Sequence, residues 1–192
     1  MTRHYALRIV IIACAFSTLS SFVQAQDKSP SAPTKEEVEL LLTQTERGMD
    51  QYVTLIEQAD KLLNRTPDAD LATDKQLIGY WKKIDKIFRA DPGKFDSRAG
   101  FDLLVMIDDA SRNAALIGTS AAKQTSQEIL AGRIQHADLF VTLMQNATSA
   151  STLLYTVSEN CNALYLRYLG FVDVFLDKAL DAMDKCEGKT KK

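Results

Sequence analysis

The chain has 192 residues, of which 25% are charged and 46% hydrophobic, and its formal net charge is −2. This composition excludes both a disordered, charge-rich chain and a polytopic membrane protein. The first 25 residues contain only two charged residues, Arg3 and Arg8, so the remainder carries 21 basic against 25 acidic residues, a net charge of −4. That balance argues against nucleic acid as the main partner, and the length suits one domain.

The N-terminus has the pattern of a secretory signal. Arg3 and Arg8 precede an apolar run over residues 9–23, and small or polar residues lead to Ala25, after which we expect cleavage. Two alternatives stay open. A retained anchor is disfavoured because a spanning helix needs about 20 apolar residues, and a lipoprotein is disfavoured because Cys14 follows Arg8 too closely. We therefore expect a periplasmic or secreted protein without stable membrane insertion, with residues 26–33 as a flexible leader.

Residues 34–188 predict an all-α domain, an up-and-down helical bundle of about five helices, followed by a basic tail over residues 189–192. In the first helix, residues 35–64, apolar positions recur at alternating intervals of four and three, and Thr34 with Glu37 forms a capping box. In the second helix, Thr73 and Gln76 repeat the capping pattern. Asp91-Pro92-Gly93 ends that helix, because proline cannot continue the hydrogen-bond ladder.

Three more helices are predicted after Pro92. The third begins near Ser97 and fades at Gly118-Thr119-Ser120. The fourth begins at Thr125 and carries an apolar face through Leu130 and Ile134 towards Met144. A break is expected over residues 146–151, where small hydroxyl residues compete for helical hydrogen bonds. The last helix, from about Ser158 to Gly188, again shows the intervals of four and three, from Cys161 to Cys186.

Catalytic and cofactor motifs are absent from this sequence. His136 is the only histidine after residue 25, so neither a histidine-rich metal site nor a di-iron site is expected, and no cofactor is predicted. A haem held between Met49 and His136 is disfavoured, because nothing in the sequence places the two side chains at the same depth in the bundle, as axial ligation requires. Asp108, Ser111 and their polar neighbours are better interpreted as a solvated helix face with an Asp108–Arg112 pair than as a hydrolytic site.

The second helix carries a basic stripe, formed by Lys75, Lys82, Lys86 and Arg89, beside the apolar positions that include Trp81. One interpretation is that Lys82, Lys86, Arg89 and Trp81 bind an anionic partner. The other, which we favour, is that the stripe faces the acidic first helix.

Aromatic residues gather near the C-terminus. Tyr155, Tyr165 and Tyr168 would line a ligand pocket if their rings met between helices, or would be core residues with their hydroxyls at the surface. The sequence thus favours a non-catalytic binding protein of adaptor, inhibitor or toxin-neutralising type, whose partner is another envelope or secreted protein. A small-ligand binding bundle is the alternative, and a hydrolase with an unrecognised site is the least favoured.

Cys161 and Cys186 are the only cysteines after residue 25. Because 25 residues of continuous helix separate them by roughly 37 Å, we expect two free thiols rather than a disulfide. The exception is a homodimer in which two last helices pair antiparallel and bring Cys161 opposite Cys186.

Overall fold

In a computed structural model, the structure describes residues 31–63 and 70–190, with the side chains of all of these except residues 70–72, 97 and 184–190. Ala32–Lys192 forms one compact unit. The predicted export signal and most of the predicted leader lie outside the described residues.

The described chain forms four α-helices and one short 3-10 helix. The helices are α1, Lys35–Leu62; α2, Asp70–Ala90; α3, Ser97–Leu130; and α4, Ile134–Thr190, with the 3-10 turn at Pro92–Lys94 between α2 and α3. These residues contain no β-strand, and none of their helices is long and apolar enough to cross a membrane. The all-α prediction is confirmed, and the prediction of about five helices is wrong.

The capping box and apolar spacing of α1 are both confirmed. The Thr34 hydroxyl accepts from the Glu37 amide, and the Glu37 carboxylate accepts from the Thr34 amide, so two otherwise unpaired donors are satisfied. The buried face of α1 contains Val38, Leu41, Leu42, Thr45, Gly48, Met49, Tyr52, Leu55, Ile56 and Ala59. This face supplies one wall of the core.

The second helix also packs as its spacing predicts. Leu77, Trp81, Ile84 and Phe88 are buried in the core, and α2 ends at Ala90, just before Pro92. Asp96 then caps α3 by accepting from the Ala99 amide.

Both predicted breaks in the second half of the chain are absent. Gly118 lies inside α3, at a point where α4 packs closely against it. A Cβ at Gly118 would stand 3.2 Å from the Cβ of Ala147. The Thr148 hydroxyl donates to the Met144 carbonyl within α4, so it does not interrupt the helix. Close packing between α3 and α4 thus outweighs the weak local helix propensity of these residues.

The chain reverses instead at Gly132, whose φ of 72° is in the left-handed region that favours glycine. The Arg133 guanidinium makes two hydrogen bonds to the buried Glu128 carboxylate across this turn, at 2.5 and 2.8 Å. The predicted fourth helix is therefore divided between α3 and α4. Leu130 and Ile134, expected in the core, are exposed at the turn.

α4 runs antiparallel to both α1 and α3. Asn146 donates to Gln58 and Asn160 donates to Gln44, so numbering rises along α4 as it falls along α1. Along α3, the Ser111 hydroxyl donates to the Ser151 carbonyl of α4 at 3.0 Å.

A buried polar network joins α1, α2 and α3. The Tyr52 hydroxyl donates to Asp74 at 2.8 Å, and the Asn113 amide donates to both groups at 2.5 Å. Tyr52 and Asp74 are almost fully buried. Since each partner comes from a different helix, the network fixes how the three helices are aligned along their axes.

Candidate protein-binding surface

α4 continues past the helices that cover it. Near its middle, Arg167 forms an ion pair with Glu37 in the first turn of α1, and the Tyr165 ring contacts Phe101 near the start of α3, with ring centroids 6.1 Å apart. In this antiparallel register, α1 begins level with about residue 169 of α4. We call residues 169–183 the α4 extension.

The α4 extension exposes several large apolar side chains. Phe175, Leu176, Leu180 and Met183 are 62%, 51%, 58% and 61% exposed. The regular spacing from Cys161 to Cys186 predicts an apolar seam that includes Phe175, and the expectation that this seam is covered is wrong at Phe175.

These side chains share one face of the helix. At about 100° per residue, Val172, Phe175, Leu176, Ala179, Leu180, Ala182 and Met183 fall within an arc of roughly 160°. We call this arc the extension face. Asp173, Asp177, Lys178 and Asp181 lie on the rest of the helix circumference, with Val174 as an apolar exception. An amphipathic face of this kind requires a covering partner if it is to be withdrawn from water.

The base of the α4 extension is electrostatically anchored. Arg167 contacts both oxygens of Glu37, with one N–O distance of 2.9 Å. This hydrogen-bonded guanidinium lowers the pKa of Glu37 from 4.5 to about 2. The pair therefore keeps its charges over the ordinary pH range and holds the first turn of α1 against α4.

The predicted basic stripe is divided between two environments. The Arg89 guanidinium is 2.7 Å from Glu46 of α1 and 2.7 Å from Asp85, so this residue does face the first helix. Lys82 and Lys86 are exposed, and the ion pairs found among the described residues do not include them. Trp81 is buried in the core.

The three tyrosines do not converge. Tyr155 is exposed, whereas Tyr165 and Tyr168 are half-buried. Tyr155 and Tyr168 are separated by 13 helical residues and lie on opposite sides of α4, about 140° apart at about 100° per residue. Their rings therefore do not form one wall of a pocket between helices.

Two surface grooves lie elsewhere on the bundle. A groove of about 370 Å³ between α1 and α4 is lined by Asp50, Gln51, Thr54, Leu55, Gln58, Asn146 and Ser149. Another of about 320 Å³ follows the small residues where α3 meets α4, with Gly118 and Thr148 among them. Both are shallow and include no tyrosine. Neither groove brings charged or nucleophilic side chains together in a way that would indicate a functional site.

The residues considered for metal or acid–base chemistry are separated. Within the described part of the chain, no group of three or more His, Cys, Asp or Glu residues could hold a metal ion. Met49 is buried, while His136 is exposed at the α3–α4 turn near Glu128, so the two do not face a common site. Asp108 pairs with Arg112 one turn away, as predicted.

Cys161 is a free, fully buried thiol. Burial raises its pKa to about 12, so the reactive thiolate form is suppressed. Cys161 and Cys186 lie on one continuous helix, which confirms that they are too far apart to bridge within a chain. The side chain of Cys186 lies outside the described residues.

Comparison of the chain with protein-family models, with curated proteins and with solved structures finds no match.

Proposed function

We propose that this is an exported, non-catalytic helical-bundle protein that binds another protein through the extension face, as an adaptor, inhibitor or toxin-neutralising partner does. One observation carries the proposal: four large apolar side chains on one helical face are each more than half exposed. Exposed apolar area of this kind, rimmed by charged residues, is typical of protein-binding surfaces.

Export to the periplasm or secretion is part of the same proposal. It rests on the pattern of residues 1–25. N-terminal sequencing of the protein purified from its own cells should give a chain beginning at Gln26. A chain that still begins at Met1 would contradict the export proposal without affecting the binding proposal.

The binding proposal is tested by photo-crosslinking in living cells. A photoreactive amino acid at Phe175 lies on the extension face, whereas the same group at Asp177 lies on the polar side of the same helix. We expect protein adducts from position 175 and few from position 177. The absence of adducts from position 175, or equal adducts from both, would contradict the proposal.

The exposed lysines of α2 supply a second, weaker contact surface. Lys82 and Lys86 are free to meet an anionic partner, while Arg89 is held by Glu46 and Asp85. A ligand pocket around Tyr155, Tyr165 and Tyr168 has less support, because Tyr155 lies on the opposite side of α4 from Tyr168.

A further inference from the structure

We propose that the partner which covers the extension face is the α4 extension of a second copy of this chain, paired antiparallel about a two-fold axis. This inference rests on the proposed function, because it assigns an occupant to the same surface. Its consequence is an elongated dimer with one bundle at each end.

The direction of the extension face determines where an occupant must lie. Cys161 and Leu164 are buried within the bundle, and Val172, Phe175 and Ala179 continue the same side of α4 at intervals of three to eight residues. The occupant therefore stands beyond the first turns of α1 and α3, in line with those helices. An antiparallel second extension takes this position for each copy.

Sterics decide between the two symmetric arrangements. If two extensions paired in parallel, their faces would point at each other while both bundles lay at the same end. Since α1 and α3 cover the same side of α4 further down, the two bundles would then occupy the same space. Antiparallel pairing places the bundles at opposite ends and removes this overlap.

The spacing of the extension face suits helix pairing. Val172, Phe175, Ala179 and Ala182 recur at intervals of three, four and three, the pattern of a coiled-coil contact. In an antiparallel pair, Ala179 of one copy can lie opposite Ala182 of the other, which lets the two helices approach closely. Leu176, Leu180 and Met183 then close over the contact from one flank.

The available area is sufficient for a specific but modest interface. Four large side chains that are half exposed or more each offer on the order of 100 Å², and Val172 with Ala179 adds to this. Two copies that covered these side chains completely would bury about 1,000 Å², the lower bound for a biological contact. We therefore expect a dimer that dissociates on dilution.

A lipid surface is a poorer occupant. Helices that bind in the plane of a membrane carry lysine or arginine on their polar side, where they meet anionic headgroups. The polar side of the α4 extension carries Asp173, Asp177 and Asp181 against the single Lys178 among the described side chains. Anionic lipid would repel this surface.

The antiparallel pair is confined to the C-terminal end of α4, residues 171–190. A longer overlap that brought Cys161 of one copy to Cys186 of the other is excluded, because Cys161 is buried below α3, with its sulfur 3.8 Å from the Gly100 carbonyl. The expected dimer is therefore not linked by this disulfide and persists in dithiothreitol.

The test combines sedimentation velocity with small-angle X-ray scattering on the mature protein, across a range of concentrations. α4 has 57 residues and is about 85 Å long. The register that sets Ala179 opposite Ala182 overlaps the two helices over residues 171–190, about 30 Å, and gives an end-to-end dimer with a maximum dimension near 140 Å. Phe175→Glu places a charge in the contact and should raise the dimer dissociation constant at least about tenfold.

Leu116→Glu is the matched control, since Leu116 is 63% exposed on α3 within the bundle. An elongated dimer that survives this control and is lost in Phe175→Glu supports the proposal. A compact dimer, or one that is lost only in the control, overturns it. A monomer at every concentration also overturns the dimer. In that case, adducts from position 175 with a different protein would leave the proposed function intact. Sedimentation of the monomer with anionic vesicles would instead indicate a lipid-binding face and contradict both proposals.

Discussion

The two parts of α4 have the same amino-acid pattern and opposite surroundings. Within the bundle, Leu154 and Val157 are almost fully buried beneath α1 and α3, whereas Leu176 and Leu180 in the α4 extension are more than half exposed. Both parts are amphipathic and both are helical. An apolar stripe therefore indicates that a face needs a partner, and it does not indicate whether the partner belongs to the same chain.

The largest expected effect separates these two parts of α4 directly. Leu154 is fully buried and packs against Gly48 of α1. Leu154→Ala should cost about 3 kcal/mol of unfolding free energy, because it leaves a cavity. Leu180→Ala should change the free energy of unfolding of the monomer by less than about 0.5 kcal/mol. Urea denaturation of dilute protein measures both, and equal losses would refute the division of α4.

The next effect tests the bundle through its buried network. Asp74→Ala leaves the Tyr52 hydroxyl and the Asn113 amide without this acceptor, and should cost about 2 to 3 kcal/mol. Asp74→Asn retains an acceptor oxygen and should cost less. Thermal or chemical unfolding of the two variants decides the matter, and a stability for Asp74→Ala equal to wild type would mean that the three helices are not aligned by this network.

A smaller effect concerns the base of the α4 extension. The pKa of Glu37 falls from 4.5 to about 2 because of Arg167. A lowered carboxyl pKa stabilises the fold above pH 4.5, and this contribution is lost as the pH falls from 4.5 towards 2. The pair is partly exposed, so its contribution should be about 1 kcal/mol.

Glu37→Gln should flatten this part of the stability profile, since the variant has no charge to lose. Stability measured between pH 5 and pH 2 in both proteins gives the comparison. If both lose stability in parallel, other carboxylates dominate and Glu37 does not anchor the α4 extension.

The smallest effects are expected on α2. Lys82→Gln combined with Lys86→Gln should leave the unfolding transition unchanged, because both side chains are exposed and outside the ion pairs of the described residues. Arg89→Gln removes contacts to Glu46 and Asp85 and should lower stability slightly. A larger loss from the lysines than from Arg89 would contradict the division of the basic stripe.

The first half of the described fold is well determined by local signals. The capping box at Thr34, the buried face of α1 and the stop before Pro92 each depend on residues close together in sequence. The second half depends on contacts between distant residues. Gly118 looks like a break, yet it allows Ala147 to approach closely, and residues 146–151 stay helical beside α3.

The α4 extension shows the same limit of local sequence signals, which do not report contacts between distant residues. The spacing from Cys161 to Cys186 predicts a single helix, and α4 is one. The spacing carries no information about where α1 and α3 begin, so it could not reveal that cover ends near residue 169. The Gly132 turn had a local signal, since glycine favours its positive φ, but the neighbouring Leu130 and Ile134 continued the apolar pattern across it.

Hydrogen exchange of the backbone amides in the α4 extension tests the central claim most directly. A helix segment without packing is marginally stable and exchanges quickly. In concentrated wild-type protein the amides of residues 172–183 should be protected, and they should lose this protection on dilution or in Phe175→Glu, while amides around Leu154 stay protected throughout. Equal exchange of the α4 extension in wild type and Phe175→Glu at every concentration would contradict the dimer, because the extension face would then have no partner in a second copy.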